Sequence, residues 1–135
     1  MGRTAYVILE HMRICKLCNC EFKDYQEKNR NRCGSCNTKI RRFRAKAAAV
    51  EYLGGKCIKC GWNGNQAALQ FHHVDSKGKE FNIGNVANKS WDSIKTEMQK
   101  CILLCANCHM IHHSTKNDKI FLEEALNYKG RTLEF

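Results

Sequence analysis

Apolar positions along the chain fall into short periodic runs separated by polar, basic stretches, and these runs predict a small α+β fold. Over residues 37–53, Ile40, Phe43, Ala47 and Val50 recur at helical spacing and predict a helix that buries this stripe. Asn37 or Thr38 is placed to cap its start, and Gly54-Gly55 to end it. The run Leu69-Gln70-Phe71-His72-His73-Val74 is apolar and β-prone and predicts a strand. A polar loop over 76–90 then leads to Ser90, a cap for a helix from Trp91 to about Lys100 with Trp91, Ile94 and Met98 as its stripe. Cys101-Ile102-Leu103-Leu104 predicts a second strand, and residues 107–116 a further helix. Ile120, Phe121, Leu122, Ala125 and Leu126 predict a last short helix, ending at Gly130 and packed on the core or on a partner. Tyr6–Leu9 fits an edge strand or a helical turn equally well.

A chain of 135 residues allows one to two small domains, and elements this short bury little apolar surface. The ten cysteines change that picture. Most lie in Cys-x-x-Cys hooks, and no apolar run near the start is long enough for a signal peptide or a membrane span, Ala5–Leu9 being far too short. Such hooks predict tetrahedral structural zinc in a reducing compartment, not disulfides. Cys57, Cys60, Cys105 and Cys108 are expected to hold one zinc. Cys15, Cys18, Cys33 and Cys36 have the spacing of a small zinc ribbon and are expected to hold a second. Cys20 is the alternative to Cys18, although C-x-x-C closes a knuckle more naturally. Cys101 stands outside every hook and is expected as a small buried hydrophobe. Each structural zinc should contribute on the order of 10 kcal/mol to folding. Trp62 is expected to cap the second knuckle, with base stacking as the alternative.

The formal charge is +10, from 23 basic and 13 acidic residues. That balance suits a polyanion, and nucleic acid is the one expected. Lys39, Arg41, Arg42, Arg44 and Lys46 crowd the helix over 38–55 and predict a phosphate-contacting arm; a merely solvated face is the bland alternative. The loop Asn29-Arg30-Asn31-Arg32 is open to the same two readings. His11 is expected as a lone surface histidine.

The remaining histidines are too clustered to be spare ligands for sites that four thiolates already close. Adjacent residues of a strand face opposite ways, so one imidazole of the pair His72-His73 can bind a metal while the other stays free as a base. His109 and His113 are four apart and share one face of a helix, as two ligands to one ion require; His112 is the competitor to His113. Three neutral imidazoles with open positions would make a catalytic rather than a closed site. If the histidines instead close a further structural zinc, the chain is a non-catalytic, zinc-dependent nucleic-acid-binding module.

Leu69–Asp75, followed by Cys105-Ala106-Asn107-Cys108-His109 and then His113, resembles an HNH endonuclease of the ββα-metal fold, in the zinc-stabilised form found in bacteriophages and bacteria. The resemblance covers roughly residues 50–115. With the hooks and helices read above, the chain divides into a zinc ribbon over 1–37, a basic linker helix over 38–55, a nuclease core over 56–116, which the resemblance implies, and a helical tail over 117–135. The resemblance implies His72, His109 and His113 as ligands of one catalytic divalent ion (Mg, Mn, Ni, Co or Zn), beside about two structural zincs, and His73 as general base. The implied reaction is hydrolysis of DNA, double-stranded by expectation, to 5′-phosphate and 3′-hydroxyl ends. The implied setting is the cytoplasm of a bacterium or an infected host, with a second copy or phage DNA-processing proteins as further partners and no membrane. The chain departs from the family at the asparagine that orients the base: Lys100-Cys101 fills much of its region, which leaves Asn85, Asn88 and Asn107 as candidates, while Asp75, on the strand face of His73, either orients that ring or just caps the loop.

Overall fold

The computed structural model describes residues 12–24, 30–82, 88–114 and 116–131, so the expectations for Tyr6–Leu9, His11, Asn29 and Asn85 lie outside the described residues. Strands β1 (Met12–Ile14) and β2 (Glu21–Lys23) pair antiparallel, with Met12 opposite Lys23 and Ile14 opposite Glu21. The turn between them folds back on itself: Cys15 N–H donates to the Cys20 carbonyl at 2.8 Å, and Asn19 N–H to that of Cys15 at 2.9 Å. Asn19 holds the left-handed φ of 57° that asparagine tolerates better than most side chains. Beyond β2, buried Asp24 accepts from Arg30 N–H at 3.2 Å and pairs with Arg13 at 3.4 Å, which ties the strand pair to the chain leading into the next element.

Helix α1 spans Gly34–Tyr52. Its N-cap is Cys33, whose sulfur accepts from Cys36 N–H, and not Asn37 or Thr38; the hook and the first helical turn are one structure. It ends as expected, with Gly54 and Gly55 at φ +95° and +75°, a region open to glycine at little cost. The buried face differs from the expected stripe. Phe43 is 58% exposed and Ala47 is exposed, whereas Ala49 and Val50 are buried and Ala45 and Leu53 half-buried. The reason is steric: α1 meets the bulky Ile94 and Met98 of the next helix through small alanines, so the large phenylalanine turns outward.

Strand β3 (Leu69–His73) pairs antiparallel with β4 (Cys101–Cys105), from Leu69 opposite Cys105 to His73 opposite Cys101. Between them runs α2 (Trp91–Met98), capped by Ser90, whose hydroxyl accepts from Ser93 N–H at 3.2 Å. Ile94 and Met98 are buried as expected; Trp91 is 40% exposed and meets Tyr52 edge-on instead of entering the core. Helix α3 (Ala106–His113) follows β4 without a break, and α4 (Lys116–Asn127) follows after a short gap, so the single helix expected over 107–116 ends earlier, at His113. On α4, Ile120, Phe121, Leu122, Ala125 and Leu126 are exposed, so its apolar side does not enter the core. Among the described residues, no helix is long and apolar enough to cross a membrane.

The result is a small α+β protein whose core is two adjoining clusters. Val50, Cys57, Leu69, Leu103, Leu104 and Cys105 form one, and Ala49, Ile94, Met98 and Cys101 the other, with Leu53 and Phe71 packed on both. Cys101 is buried, as its place outside the hooks predicted. Leu104, with no exposed surface, belongs to the first cluster. Leu104→Ala should cost about 2–5 kcal/mol, read as a lower denaturation midpoint of the zinc-loaded protein at unchanged slope.

Candidate functional site

Two tetracysteine clusters form. The sulfurs of Cys15, Cys18, Cys33 and Cys36 lie within 4.8 Å of one another, and so do those of Cys57, Cys60, Cys105 and Cys108. Both are built by one device: a turn supplies the first hook, and the second hook is the N-terminus of a helix. Cys33 caps α1 and Cys105 caps α3, each accepting from the N–H three residues on, at 3.4 and 3.5 Å. Helix N-terminal amides aimed at sulfur favour thiolate, the form that binds metal. At the second knuckle Cys57 N–H donates to the Trp62 carbonyl and Ile58 N–H to Leu103, each at 2.9 Å, which fastens the turn to β4. Trp62 lines a small pocket with Cys60 and Cys108, and a side chain at Gly64 would strike its ring, so glycine is required there for the tryptophan to cover the knuckle.

The donor chemistry fits a dication. Burial works against ionising Cys57, yet the backbone N–H groups of Cys105, Cys60 and Lys59 outweigh it and pull its thiol down to about 6. Cys15 is pulled down to about 6 by the backbone N–H groups of Cys33 and Cys18. In the same clusters Cys108 is pushed up to about 12, by the Cys105 sulfur and then by burial, and Cys36 to about 12, by the sulfurs of Cys18 and Cys33. Four thiolates this close cannot ionise together without a cation between them, and two structural zincs are what these clusters suit. Cys20 stays outside the four, although its sulfur lies 3.2 Å from that of Cys18.

The histidines divide across β3 as strand alternation predicts. On one face His72 meets α3: His72 Nδ1 is 3.2 Å from His109 Nε2, which is 3.0 Å from His113 Nε2. Ring nitrogens of all three lie within 4.8 Å of one another, the arrangement of donors around one ion. Burial first, then the neighbouring imidazoles, holds His72 and His109 below the ordinary histidine value, so both favour the neutral, metal-binding form. Gln70, two residues before His72 and on the same strand face, takes a hydrogen bond at His109 Nδ1. Its amide oxygen can only accept, so Nδ1 carries the proton and Nε2 turns its lone pair to the cluster. His112 stands beside this trio: its ring is 4.3 Å from that of His72, while its Nδ1 lies 3.3 Å from Lys59 Nζ.

On the other face His73 Nε2 lies 2.6 Å from Glu97 Oε1, and the two side chains are 9% and 1% exposed. Glu97 also accepts from Glu80 N–H and from Lys100 Nζ, both at 3.2 Å, and Lys100 reaches Glu80 at 3.0 Å. Burial raises the Glu97 carboxyl, but these donors, His73 foremost, overcome it and hold the carboxyl below its usual range. None of the residues expected to orient His73 and described here does so. Asp75 caps the short turn Ser76–Gly78, Asn88 is exposed, and Asn107 lines the pocket beside Trp62. Glu97 was missed, although an acid between Ile94 and Met98 on the apolar stripe was a visible anomaly; Gln70 was missed, although strand alternation sets it beside His72.

A groove of about 610 Å³ runs between α1 and β3, and His73 is among its lining residues. Of the five expected cations, Arg42 and Lys46 line it; Lys39, Arg41 and Arg44 do not, and Lys46 is half-buried rather than on the outer face. Compared with protein-family models, with curated proteins and with solved structures, the chain matches none.

Proposed function

We propose that the chain is a metal-dependent DNA endonuclease of the HNH type, with residues 56–116 as its ββα-metal core. The observation that supports this best is the two-sided use of β3: His72 joins an ion-sized trio of imidazoles, while the adjacent His73 faces away and is held by a buried carboxylate. A structural zinc site has no use for the second histidine.

A divalent ion held by His72, His109 and His113 would draw charge from a phosphodiester and steady its departing 3′ oxygen. The protein's own groups do the rest. His73 donates through Nε2 to Glu97, which leaves Nδ1 as the nitrogen that takes a proton from the attacking water. Water adds to phosphorus, the bond to the 3′ oxygen breaks, and solvent protonates that oxygen, giving 5′-phosphate and 3′-hydroxyl ends. Glu97 fixes the tautomer and steadies the imidazolium once formed, the role a buried carboxylate plays beside other histidine bases. The amino-terminal zinc cluster and the basic side of α1 place the backbone. The test is cleavage of supercoiled plasmid with magnesium, manganese, nickel or zinc added, with DNA binding followed in parallel. Binding without cleavage under every metal would replace the nuclease with a binding module.

The cationic helix has its own expected result. Replacing Arg41, Arg42 and Arg44 together by alanine should weaken binding to all DNA sequences alike and lower the log–log salt slope by up to about 3. An unchanged slope in a salt titration would remove α1 from the interface.

A further inference from the structure

The groove between α1 and β3 has features that a plain phosphate-contacting surface does not need. Phe43 stands in the middle of the basic run of α1, is 58% exposed and lines this groove, with Leu69 and Phe71 of β3 as its apolar floor. Arg42 and Lys46, four apart on the same helix face, line it too. Neither has an acidic partner among the described residues, and burial lowers the Lys46 ammonium below its ordinary value, so an anion placed there would gain a partly desolvated cation. Lys79 adds a third positive charge, and among the described residues no carboxylate lines the groove. Its volume, about 610 Å³, is that of a small-ligand pocket and has room for a single nucleotide. Asn82 offers an amide donor and acceptor to a base edge, and Asn65, whose oxygen accepts from Ala67 N–H, offers its amide donor.

We infer that this groove holds one unpaired nucleotide, its base against Phe43 and its phosphate between Arg42 and Lys46, so that cleavage falls beside a single-stranded or bulged position. This rests on the nuclease reading, because His73 borders the groove and the scissile phosphate would be the neighbour of the captured one. An aromatic face accepts any base, and the cations take the backbone, so the substrate is chosen by its lack of pairing and not by its sequence.

The test uses the zinc-loaded full chain with no other divalent metal added, and fluorescence anisotropy on two probes: a fully paired duplex, and the same duplex with one unpaired nucleotide. Wild type should prefer the unpaired probe by about tenfold or more, and Phe43→Ala should erase that preference while leaving the paired duplex unchanged. Phe43→Trp, which keeps a stacking face, should retain it; since Phe43 is mostly exposed, these variants should fold as wild type does. Equal affinity of wild type for both probes, an equal loss on both with Phe43→Ala, or displacement of the unpaired probe by polyglutamate as readily as by an oligonucleotide would each overturn the inference. Cleavage is scored separately with added metal. Cutting without any preference overturns the groove and leaves the nuclease standing; a Phe43-dependent preference without cutting does the reverse.

Discussion

His73→Ala is expected to lower the rate of DNA cleavage by about 10²- to 10⁴-fold while leaving affinity for DNA and metal content unchanged. The expectation follows from where the two faces of β3 point. His73 hydrogen-bonds Glu97 on the far face of the strand and is not one of the clustered donors His72, His109 and His113, so its removal takes away a proton acceptor and not a ligand. The side chain is nearly buried, and its loss leaves Glu97 with Lys100 Nζ and the Glu80 amide as partners, so the fold should survive with some loss of stability. Added imidazole should restore part of the activity, which a merely destabilised protein would not show. Glu97→Gln should fall between wild type and His73→Ala: the amide keeps the size of the side chain but removes the charge that steadies the imidazolium. Single-turnover cleavage, with anisotropy for binding and circular dichroism for folding, separates these effects. Cutting by His73→Ala at the wild-type rate would end its assignment as base.

What was legible in the sequence is what local chemistry decides. A Cys-x-x-Cys hook brings its sulfurs together within a turn, and strand alternation sends His72 and His73 opposite ways whatever else the chain does. The partners of those histidines were less legible, because they depend on how α2 lies across the strands. Glu97 has the composition of a solvated helix residue, and only the packing of Ile94 and Met98 against Ala49 turns it inward onto His73. The same docking explains Phe43. On periodicity it belonged to a buried stripe, yet α1 approaches α2 through Ala45 and Ala49, which rotates the phenylalanine onto the groove beside Arg42 and Lys46. The start of α1 was misplaced for a different reason: sulfur is a weak hydrogen-bond acceptor, so Cys33 reads as a metal ligand and not as the N-cap it also is.

Cys105→Ser should have the largest effect on the fold itself. Cys105 is 7% exposed and does three things: it pairs with Leu69 at the end of the sheet, caps α3, and supplies one of four sulfurs of the second cluster. Serine can still cap the helix, but its hydroxyl is a poor zinc ligand at neutral pH, so the effect isolates the metal. Zinc content is expected to fall from about two per chain to about one. A structural zinc contributes on the order of 10 kcal/mol, as much as the whole net stability of a domain this size, so the strands and α3 should unfold with it. Cleavage should vanish too, because the knuckle sets the helix that carries His109 and His113. Cys101→Ser is the control: its sulfur belongs to neither cluster, and burial, then the Glu97 charge, pushes its thiol up to about 11 and keeps it protonated. That variant should keep both zincs and lose only about 1–3 kcal/mol for a buried hydroxyl. Metal analysis and far-ultraviolet circular dichroism decide between them. A Cys105→Ser protein that keeps two zincs and its helical signal would show that the core stands on packing alone.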